Sequence, residues 1–459
     1  MAGAMVAKSP LMISVSGVRG IVGDSLTAEL VLQWTMAFGT LCRPGPVVVG
    51  GDSRISKTMM RAATFAGLAA SGSNIIDVGI VPTPTVALAV KHHRARGGIA
   101  ITASHNPAEW NALKFYNADG LFLSEQEGKD LRVAAEQNSA TTVGASEIGS
   151  YEKDEFAVRR HLDAVLSISF LKADEIRKRK FRVGLDTVNG AGGELLCALL
   201  REWGCEVVGF HLEPTGRFPR NPEPLPQHLR DVANKMQAAS VDIGFVADPD
   251  ADRLAVILEN GQPAGEEQTL VAAADLTLRY LKGPVVANCS TTMALDDIAE
   301  KYDVPMYRTK VGEAHVARKM IEVGAAIGGE GNGGVILPQI HPARDAATGI
   351  ALILQGLLEF GGTASNYFGM LPQYHMVKKR KEFADLDSLR AALRAVESSS
   401  PFGTADRLDG LKWEMPEAWV QVRASNTEPI VRVYAEASTQ SEAEKYADEI
   451  LALLNQSAA

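Results

Sequence analysis

Short runs of apolar residues alternate with longer amphipathic stretches through the first three quarters of the chain. "VVVGGD" (47–52), "NIIDVG" (74–79) and "GIAIT" (98–102) have the length and the β-branched content of buried strands. The segments between them, 58–72 and 84–93, carry apolar residues at helical spacing. Strands that alternate with helices in this way predict β-α-β units and a mainly parallel sheet.

The same alternation restarts twice further along. A polar segment near residues 136–155 precedes "FRVGLDTVNGAGGELLCALL" (181–200), which predicts a strand, a Gly-rich turn and a helix. "GPVVANCS" (283–290) opens a third unit in the same way. Letter-level identity between the three units is too low to establish a repeat, so their similarity is one of pattern. The other elements predicted in the two later units are strands at 241–248 and 254–260 and helices at 293–302 and 313–323.

The pattern changes after about residue 370. The strands predicted there lack the crossover rhythm, which favours a separate, smaller α+β domain. They cover 418–426 and 429–437, and the predicted helices cover 388–396, with Asp387 as N-cap, and 441–454, with a capping box of Ser441 and Glu444. The whole pattern predicts an α/β protein with three related α/β domains of mixed, mainly parallel sheets, followed by a C-terminal α+β domain. The predicted domains are 1–150, 151–257, 258–370 and 371–459.

Composition limits the function. The chain has 459 residues, 46% hydrophobic and 22% charged, with a net charge of −9, so we expect no nucleic-acid partner. No window approaches the ~18 apolar residues of a membrane span, and the first residues lack the apolar run of a signal peptide. The cysteines are scattered without a CxxC pair, which fits reduced thiols in the cytoplasm and argues against a zinc site. They are Cys42, Cys197, Cys205 and Cys289.

Three carboxylates stand between two apolar strands in "VADPDADR" (246–253). Asp248, Asp250 and Asp252 repel one another unless a cation lies between them. Hard divalent cations prefer such oxygen ligands, and Mg²⁺ keeps positions open for phosphate oxygens. An EF-hand is excluded because its sixth position, which needs glycine, is Arg253. A solvated acidic turn is the alternative to a Mg²⁺ site.

The turn in "VRASNTEPIVRV" (422–433) combines guanidinium, hydroxyl, amide and backbone N–H groups. Together these groups can hold a phosphate. An ordinary turn is the alternative, but the two flanking arginines favour an anion site. The side chains concerned are Arg423, Ser425, Asn426, Thr427 and Arg432.

The Gly-rich run "IGGEGNGGVI" (327–336) is a third candidate. Its glycines allow a ligand to approach the backbone closely. The carboxylate of Glu330 and the amide of Asn332 suit sugar hydroxyls, which both donate and accept hydrogen bonds. A flexible Gly-rich hairpin is the alternative.

The stretch "ITASHNP" (101–107) places a serine beside a histidine directly after a predicted strand. Ser104 could be a nucleophile, a helix cap or part of an ordinary loop, and the segment alone does not decide. A serine hydrolase is disfavoured because the chain has no GxSxG elbow. His105, adjacent in sequence, is also poorly placed to act as the base for Ser104.

In this order, "TASHNP", "DPDADR", "GEGNGG" and "RASNTEP" resemble the motifs of the α-D-phosphohexomutases. "SGVRG" (16–20), "PTPT" (82–85) and "DTVNGAGG" (186–193) also resemble segments of that family, so the resemblance covers almost the whole chain. It implies that the four domains surround a central cleft. It also implies an enzyme that moves phosphate between O6 and O1 of a hexose phosphate, through a phosphoserine and a hexose 1,6-bisphosphate.

The resemblance implies roles for the catalytic and metal-binding candidates. Ser104 corresponds to the phosphoserine that donates the phosphoryl group, and its phosphate oxygen completes the Mg²⁺ site. The metal ligands are Ser104, Asp248, Asp250 and Asp252. The other catalytic candidates are the arginines Arg19 and Arg253, the acid/base candidates Lys114 and His315, and His105, whose role the sequence does not define.

It also implies roles for the substrate-binding candidates. Glu330 corresponds to the acid that recognises the sugar, and Asn332 lies beside it. The loop around residue 425 corresponds to the one that holds the non-reacting phosphate of the substrate. Its members are Arg423, Ser425, Asn426 and Thr427, with Arg432 as a flanking cation.

One departure from the family pattern concerns the sugar loop. Many members carry Glu-x-Ser-Gly, often followed by His, whereas Asn332 and Gly334 occupy the Ser and His places here. "GEGNGG" resembles the branch assigned to phosphoglucosamine mutase, and a carboxylate favours the cationic 2-amino group of glucosamine. We therefore expect conversion of glucosamine 6-phosphate to glucosamine 1-phosphate, with phosphomannomutase or phosphoglucomutase activity as the alternative.

Two alternatives come from other functional classes. A phosphatase with an aspartyl nucleophile at Asp248 would also need Mg²⁺, but it would release inorganic phosphate. A non-catalytic sugar-phosphate-binding protein could keep Glu330 and Arg423, but it would have no need of Ser104 or the three aspartates.

Overall fold

The N-terminal part of the chain folds around one seven-stranded sheet. The computed structural model describes residues 11–14, 17–425 and 429–456. The strands of this sheet are β1 (Met12–Ser14), β2 (Gly17–Ile21), β3 (Val47–Gly51), β4 (Ile75–Ile80), β5 (Gly97–Ile101), β6 (Trp110–Asn117) and β7 (Tyr151–Lys153). The helices are α1 (Ala28–Cys42), α2 (Lys57–Ala70), α3 (Thr83–His92), α4 (Glu125–Glu136) and a 3₁₀ turn (Ala145–Glu147). The strand order is β1-β2-β6-β5-β3-β4-β7.

Two four-stranded sheets follow. The second unit contains α5 (Ala157–Leu166), α6 (Ala173–Arg179), β8 (Arg182–Asp186), α7 (Gly193–Glu202), β9 (Glu206–Phe210), α8 (Pro226–Ala238), β10 (Ile243–Ala247) and β11 (Leu254–Leu258). The third contains α9 (Gln268–Tyr280), β12 (Val285–Asn288), α10 (Ala294–Lys301), β13 (Met306–Thr309), α11 (Glu313–Val323), β14 (Ile327–Glu330), β15 (Gly334–Ile336), α12 (Ala346–Phe360) and α13 (Ala364–Gly369). Their strand orders are β11-β10-β8-β9 and β13-β12-β14-β15.

The three sheets share one topology. Each unit contains a β-α-β-α-β-β series, which begins at β3, at β8 and at β12. In every sheet these four strands lie side by side in the order fourth, third, first, second. The first three are parallel and the fourth is antiparallel to the third. The related units expected from the sequence pattern are therefore confirmed at the level of strand order.

The shared topology determines where the candidate residues lie. Ser104 follows β5, the three aspartates follow β10, and Asn332 follows β14. Each group therefore occupies the loop between the third and fourth strands of its own unit. Because the carboxyl ends of parallel strands meet at one edge of a sheet, this position is a recurring place for ligand sites in α/β folds.

One helix joins the second and third units. Residues 346–357 of α12 are buried on every side, as is typical of a helix enclosed by other elements. The helix packs against α9 of its own unit and α5, α6 and α7 of the preceding one. A single buried apolar cluster therefore spans both sheets.

The C-terminal unit is an antiparallel sheet covered on one face by two helices. Its elements are β16 (His375–Glu382), α14 (Leu386–Ser399), β17 (Leu411–Met415), β18 (Ala418–Ala424), β19 (Ile430–Ala437) and α15 (Gln440–Gln456). The strand order is β16-β19-β18-β17, and a separate apolar cluster forms its core. Three mixed, mainly parallel α/β sheets followed by this antiparallel sheet confirm the predicted fold class.

Local details differ from the sequence-based expectations. The N-cap of α14 is Asp385 rather than Asp387, because Asp385 accepts the Ser388 N–H while the Ser388 hydroxyl faces it. The capping box of Ser441 and Glu444 is also wrong: Thr439 accepts the Glu442 N–H, so that α15 begins earlier. Competing cap residues stand two positions away in both sequences, and only the backbone direction selects between them.

Other differences concern strands and boundaries. The segments that carry Arg19 and Lys114 resemble loops in the sequence, yet they form the paired strands β2 and β6. The domain boundaries stay predictions, although β7 adds to the edge of the first sheet from beyond residue 150. All four cysteines are buried free thiols. No helix in the described part of the chain is long and apolar enough to cross a membrane.

A buried histidine connects three units. His161 of α5 is fully buried. Its Nδ1 lies 2.8 Å from Thr85 Oγ1 of α3, and its Nε2 lies 3.1 Å from Asp345 Oδ2, at the start of α12. Asp345 is also the N-cap of α12, since it accepts the N–H groups of Ala347 and Thr348. The contact therefore orients the central helix and docks the first unit against it.

We expect His161→Ala to lower the free energy of unfolding by about 1–3 kcal/mol, because Thr85 and Asp345 lose a buried partner. Urea denaturation measures this change. The exposed His92 supplies the matched control, and His92→Ala should stay within about 0.5 kcal/mol of the parent chain. Equal stability of the two variants would contradict a docking role for His161.

Candidate active site

Ser104 sits in a strained loop against the aspartate triad. Its φ of 50° is left-handed, which costs a residue other than glycine on the order of 1–3 kcal/mol and persists only where surrounding contacts impose it. Its N–H donates to Thr102 Oγ1 at 2.9 Å. Its hydroxyl donates to Asp248 Oδ2 at 2.8 Å. The structure thus joins the first two sequence motifs, which are 144 residues apart, by a direct hydrogen bond.

The three aspartates form a buried cluster of oxygen donors. One carboxylate oxygen of each lies within 4.8 Å of the others. Asp248 Oδ1 accepts the N–H groups of Asp252 and Arg253, which folds the loop around it. Asp250 Oδ2 accepts Lys114 Nζ at 2.8 Å and the Thr83 hydroxyl at 2.8 Å.

Two oxygens in this cluster have no hydrogen-bond donor in the part of the chain that the structure describes. Asp250 Oδ1 and Asp252 Oδ1 are buried without a hydrogen-bond partner among the described residues. Buried carboxylate oxygens are costly when they are left unsatisfied. Converging carboxylate oxygens beside a serine hydroxyl are the donor set that a hard divalent cation requires. The residues present therefore fit a metal ion, and the alternative of a solvated acidic turn is wrong because all three aspartates are buried.

Because these carboxylates are crowded together, the pKa values of Asp248 and Asp250 are shifted in opposite directions. Burial, together with the charges of Asp250 and Asp252, raises the pKa of Asp248 well above its usual range. Burial acts in the same direction on Asp250, but contact with Lys114 outweighs it and lowers the pKa of Asp250. For Lys114, burial alone would lower the pKa, whereas Asp250 and Asp252 raise it. Lys114 is therefore a cation held against the triad at neutral pH.

Arg344 links the triad to the sugar-loop candidate. Its Nη2 donates to Asp252 Oδ2 at 2.6 Å and its Nη1 to Glu330 Oε2 at 2.8 Å. Its Nε donates to Glu313 Oε2 at 3.0 Å. The guanidinium is buried among these three carboxylates, so it compensates charge from two units at once. Arg344 is not recognisable from the sequence, because a single arginine before a helix cap carries no local signal of such a role.

The Gly-rich segment forms the β14–β15 hairpin and also presents Glu330. Its Oε1 accepts the side-chain amide of Asn288 at 2.9 Å and the Gly312 N–H at 3.0 Å. Burial alone would raise the pKa of Glu330, but Arg344 and Asn288 lower it, so it is ionised. Asn332 lies at the tip of the same hairpin, where its Oδ1 is buried without a partner among the described residues. The sequence leaves a ligand site and a Gly-rich hairpin as alternatives for this segment. In the structure the segment is a hairpin, and Glu330 lies on it.

Three of the remaining candidates, His105, Arg19 and Arg253, contact the serine loop or the aspartate triad. His105 Nδ1 is 3.3 Å from the Ser104 hydroxyl, and burial together with Arg253 and Arg19 lowers the pKa of His105 well below its usual value. Arg19 Nη1 donates to Asn106 Oδ1 in the serine loop at 2.6 Å. Arg253 Nε lies 3.9 Å from Asp252 Oδ1.

The other acid/base candidate does not contact the serine. His315 lies in the first turn of α11, close to Gly312, whose N–H donates to Glu330. His315 therefore lies on the side of the cleft that carries Glu330, whereas Lys114 contacts the aspartate triad. The two candidates approach the site from different units.

The C-terminal candidates form a separate group. Arg423 is the last residue but one of β18, and its Nε donates to Asp409 Oδ1 at 3.1 Å. Arg432 lies directly opposite Arg423 on β19 and is exposed. Ser425 accompanies them at the start of the turn, while Asn426 and Thr427 lie outside the described residues. None of the described contacts joins this group to Ser104.

Comparisons with known proteins agree with this geometry. Family models described as phosphoglucomutase/phosphomannomutase alpha/beta/alpha domains I, II and III match residues 11–142, 159–261 and 264–374, and the model of the C-terminal domain matches 376–453. The chain belongs to the phosphoglucomutase/phosphomannomutase family. It is therefore a phosphohexomutase, an intramolecular phosphotransferase, as the sequence resemblance implies.

Individual relatives cover nearly the whole chain. A phosphoglucomutase/phosphomannomutase of Thermococcus kodakarensis is 38% identical over 448 residues, which are 96% of this chain and 97% of that protein. A probable phosphoglucosamine mutase of Methanopyrus kandleri is 34% identical over 441 residues, 95% and 96% of the two chains. Among solved structures, a phosphoglucomutase/phosphomannomutase family protein of Burkholderia thailandensis has a TM-score of 0.84 at 26% identity, covering 97% and 98% of the two chains.

We expect Arg344→Met to lower the free energy of unfolding of this phosphohexomutase by about 3–5 kcal/mol, because three buried carboxylates lose their common cation. Urea denaturation in the presence of a chelator measures the change without a contribution from metal binding. Arg253→Met is the matched control, since Arg253 is similarly enclosed but its nearest carboxylate atom lies 3.9 Å away. A larger loss in the control than in Arg344→Met would show that Arg344 is not the main compensating charge.

Proposed function

We propose that the chain interconverts hexose 6-phosphates and hexose 1-phosphates through phosphorylated Ser104. The observation that carries the proposal is the 2.8 Å hydrogen bond from the Ser104 hydroxyl to Asp248, beside two partnerless carboxylate oxygens. A serine hydroxyl and a cluster of metal-type donors in one buried place are what phosphoryl transfer requires. The protein does little covalent chemistry in such reactions and acts mainly through positioning and charge stabilisation.

The chain's residues divide this work between them. Phospho-Ser104 gives its group to the free hydroxyl of the bound sugar phosphate, which produces a hexose 1,6-bisphosphate. The bisphosphate turns over in the cleft and returns its other phosphate to Ser104. Lys114 and His315 are the candidates to exchange the proton of the sugar hydroxyl. Arg19 and Arg253 supply positive charge near the transferred group.

Mg²⁺ is the ion we propose for the aspartate triad. Asp248, Asp250 and Asp252 would hold it, with a phosphate oxygen on Ser104 as a further ligand. When bound, the ion supplies Lewis-acid stabilisation of the charge on the phosphoryl oxygens. Oxygen-only donors favour Mg²⁺ over softer metals, which prefer nitrogen or sulphur ligands.

The substrate phosphate that does not react is assigned to the C-terminal unit. Arg423, Ser425, Asn426 and Thr427 are the proposed binding loop, with Arg432 as a second cation. This proposal is supported by the contact between Arg423 Nε and a carboxylate oxygen of Asp409, which holds the guanidinium in place beside the turn. Glu330 and Asn332 are proposed to contact the sugar hydroxyls between the two phosphates.

The pairing of Glu330 with Arg344 bears on which sugar the site prefers. The expected preference for glucosamine depends on Glu330 presenting an uncompensated negative charge to the 2-amino group. Arg344 Nη1 lies 2.8 Å from Glu330 Oε2, so this charge is paired and the attraction for an ammonium group is weakened. We therefore propose that glucose and mannose phosphates are turned over at least as well as glucosamine phosphate. The 38% identity to a phosphoglucomutase/phosphomannomutase supports this order, while relatives named phosphoglucosamine mutase favour the amino sugar as second candidate.

Ser104 should carry phosphate in part of the purified protein, detectable by mass spectrometry in the peptide that contains residues 101–107. Ser104→Ala should remain folded and lose nearly all mutase activity, because no other group takes the phosphoryl. Ser71→Ala, which removes a buried hydroxyl of the same unit, is the control and should keep activity. Full activity of Ser104→Ala would eliminate the phosphoserine route.

Chelation should abolish turnover, and added Mg²⁺ should restore it. Asp250→Asn should weaken Mn²⁺ binding, followed by electron paramagnetic resonance, by at least roughly tenfold, since even indirect partners of a metal commonly contribute that much. Asp186→Asn is the control, because Asp186 ends the neighbouring parallel strand β8, but its carboxylate is occupied by His211 and Arg220. Undiminished Mn²⁺ binding in Asp250→Asn would remove the triad as the metal site.

The sugar preference is tested by kcat/KM for the 1-phosphates of glucose, mannose and glucosamine under one set of conditions. We expect glucose or mannose phosphate to match or exceed glucosamine phosphate, because Arg344 is paired with Glu330 and weakens its attraction for an ammonium group. An advantage for glucosamine phosphate of about tenfold, equivalent to about 1.4 kcal/mol, would overturn this order while leaving the mutase reaction in place. Release of inorganic phosphate at the rate of turnover would instead indicate a phosphatase.

A further inference from the structure

Arg54 is a fully buried arginine whose guanidinium is completely used. Its Nε donates to Asp52 Oδ2 at 3.1 Å. Its four remaining N–H groups lie 2.7–2.9 Å from backbone carbonyls of one short stretch of chain. Those carbonyls belong to Ser104, Asn106, Pro107 and Trp110. Every donor of the side chain thus has an acceptor, and four of the five acceptors belong to the loop that carries Ser104.

The loop needs such a partner for a physical reason. Ser104 is buried, so its carbonyl oxygen needs a donor from the protein, and Arg54 supplies it. The less buried carbonyls of Asn106, Pro107 and Trp110 accept from the same guanidinium, and Pro107 also accepts the Trp110 N–H at 3.1 Å. The left-handed φ of Ser104 also has to be imposed by its surroundings. Thr102 assists from the other side, since its hydroxyl donates to Asp52 Oδ2 and accepts the Ser104 N–H. Asp52, Arg54 and Thr102 therefore form one connected support beneath the serine.

No other side chain can replace arginine in this position. A guanidinium has five N–H donors in a fixed plane, whereas a lysine ammonium has three. Lysine at position 54 could therefore donate to at most three of the five acceptors. The site is also closed on the outer side, because the Phe218 ring of the second unit stacks on the guanidinium at 5.0 Å. The support thus lies where the first unit contacts the unit that carries Asp248.

We propose that Arg54 is a positioning residue for phosphoryl transfer. It fixes the loop 104–110 so that the Ser104 hydroxyl stays at the aspartate triad, and it does so through carbonyls without touching the reacting oxygen. The proposal rests on the proposed role of Ser104 as the phosphoryl carrier. Loss of Arg54 should therefore slow transfer to and from Ser104 and leave the binding of hexose phosphate nearly unchanged.

The test measures phosphorylation of Ser104 by glucose 1,6-bisphosphate. In this step a phosphorus–oxygen bond of the sugar breaks and one to Ser104 Oγ forms. Ser104 Oγ loses its proton, the freed sugar oxygen gains one, and glucose monophosphate leaves. We expect Arg54→Lys to stay folded while its labelling rate and kcat fall by about a hundredfold, because displacement of a reacting group by ~1 Å commonly has that effect. The KM for hexose 1-phosphate should stay close to that of the unaltered chain.

Arg61→Lys is the matched control. Arg61 lies on α2 of the same unit and binds both carboxylate oxygens of Asp77 and the carbonyl of Gly79, but it contacts no part of the serine loop. This variant should keep its labelling rate even if its melting temperature falls. In folded Arg54→Ala, added guanidinium ion should restore part of kcat, whereas sodium chloride at equal ionic strength should not.

The possible results separate the two hypotheses. Labelling of Ser104 in the unaltered chain with an equal rate in Arg54→Lys would overturn the positioning role and leave the mutase proposal intact. Losses of kcat that simply follow the melting temperature in both lysine variants would also overturn it, since they indicate general stability. Absence of labelling on Ser104 in the unaltered chain would overturn the phosphoserine proposal and the positioning role together.

Discussion

The site is organised around buried negative charge. Asp248, Asp250 and Asp252 bring three carboxylates into a place that water does not reach, and such a cluster persists only if cations compensate it. Lys114 comes from the first unit and Arg344 from the third, while the aspartates belong to the second. Charge compensation therefore requires three units to be docked together. The interactions that assemble the cleft and those that prepare it for a metal and a phosphate are largely the same contacts.

The repeated topology positions three groups of candidate residues in the same way. One strand order, used three times, places Ser104, the aspartate triad and Asn332 at corresponding turns of three sheets, and Glu330 ends the strand before the last of these turns. Each turn follows the carboxyl end of a parallel strand, where backbone groups are free to position a ligand. The units differ in what those turns carry, and the chemistry arises because the three turns converge. The fourth unit is built differently, as an antiparallel sheet on which Arg423 and Arg432 lie opposite each other.

Side chains in this cleft fall into two groups, according to whether their hydrogen-bonding atoms are occupied by other protein groups. Arg54 uses all five of its side-chain N–H donors, and Arg344 donates from each of its three side-chain nitrogens, so both hold other groups in place. In contrast, Asp250 Oδ1, Asp252 Oδ1 and Asn332 Oδ1 are buried without a described partner. Buried polar atoms of this kind point to a ligand, because native proteins rarely leave them unsatisfied. The metal, the phosphoryl group and the sugar are the ligands that the proposed function supplies.

The sequence alone determined the α/β rhythm, the change of fold after about residue 370 and the motifs that contain Ser104, the triad and Glu330. Those features are local, because hydrophobic periodicity and short motifs lie within one segment. The tertiary structure decided what distant segments do to one another. It placed Ser104 on Asp248, paired Arg344 with Glu330, enclosed Arg54 beneath the serine loop and revealed a common strand order that letter-level identity does not show. These contacts join separate elements, at 14 to 144 positions apart in sequence. Such contacts, and the charge of a group once its partner is known, depend on packing and leave no pattern in the neighbouring sequence.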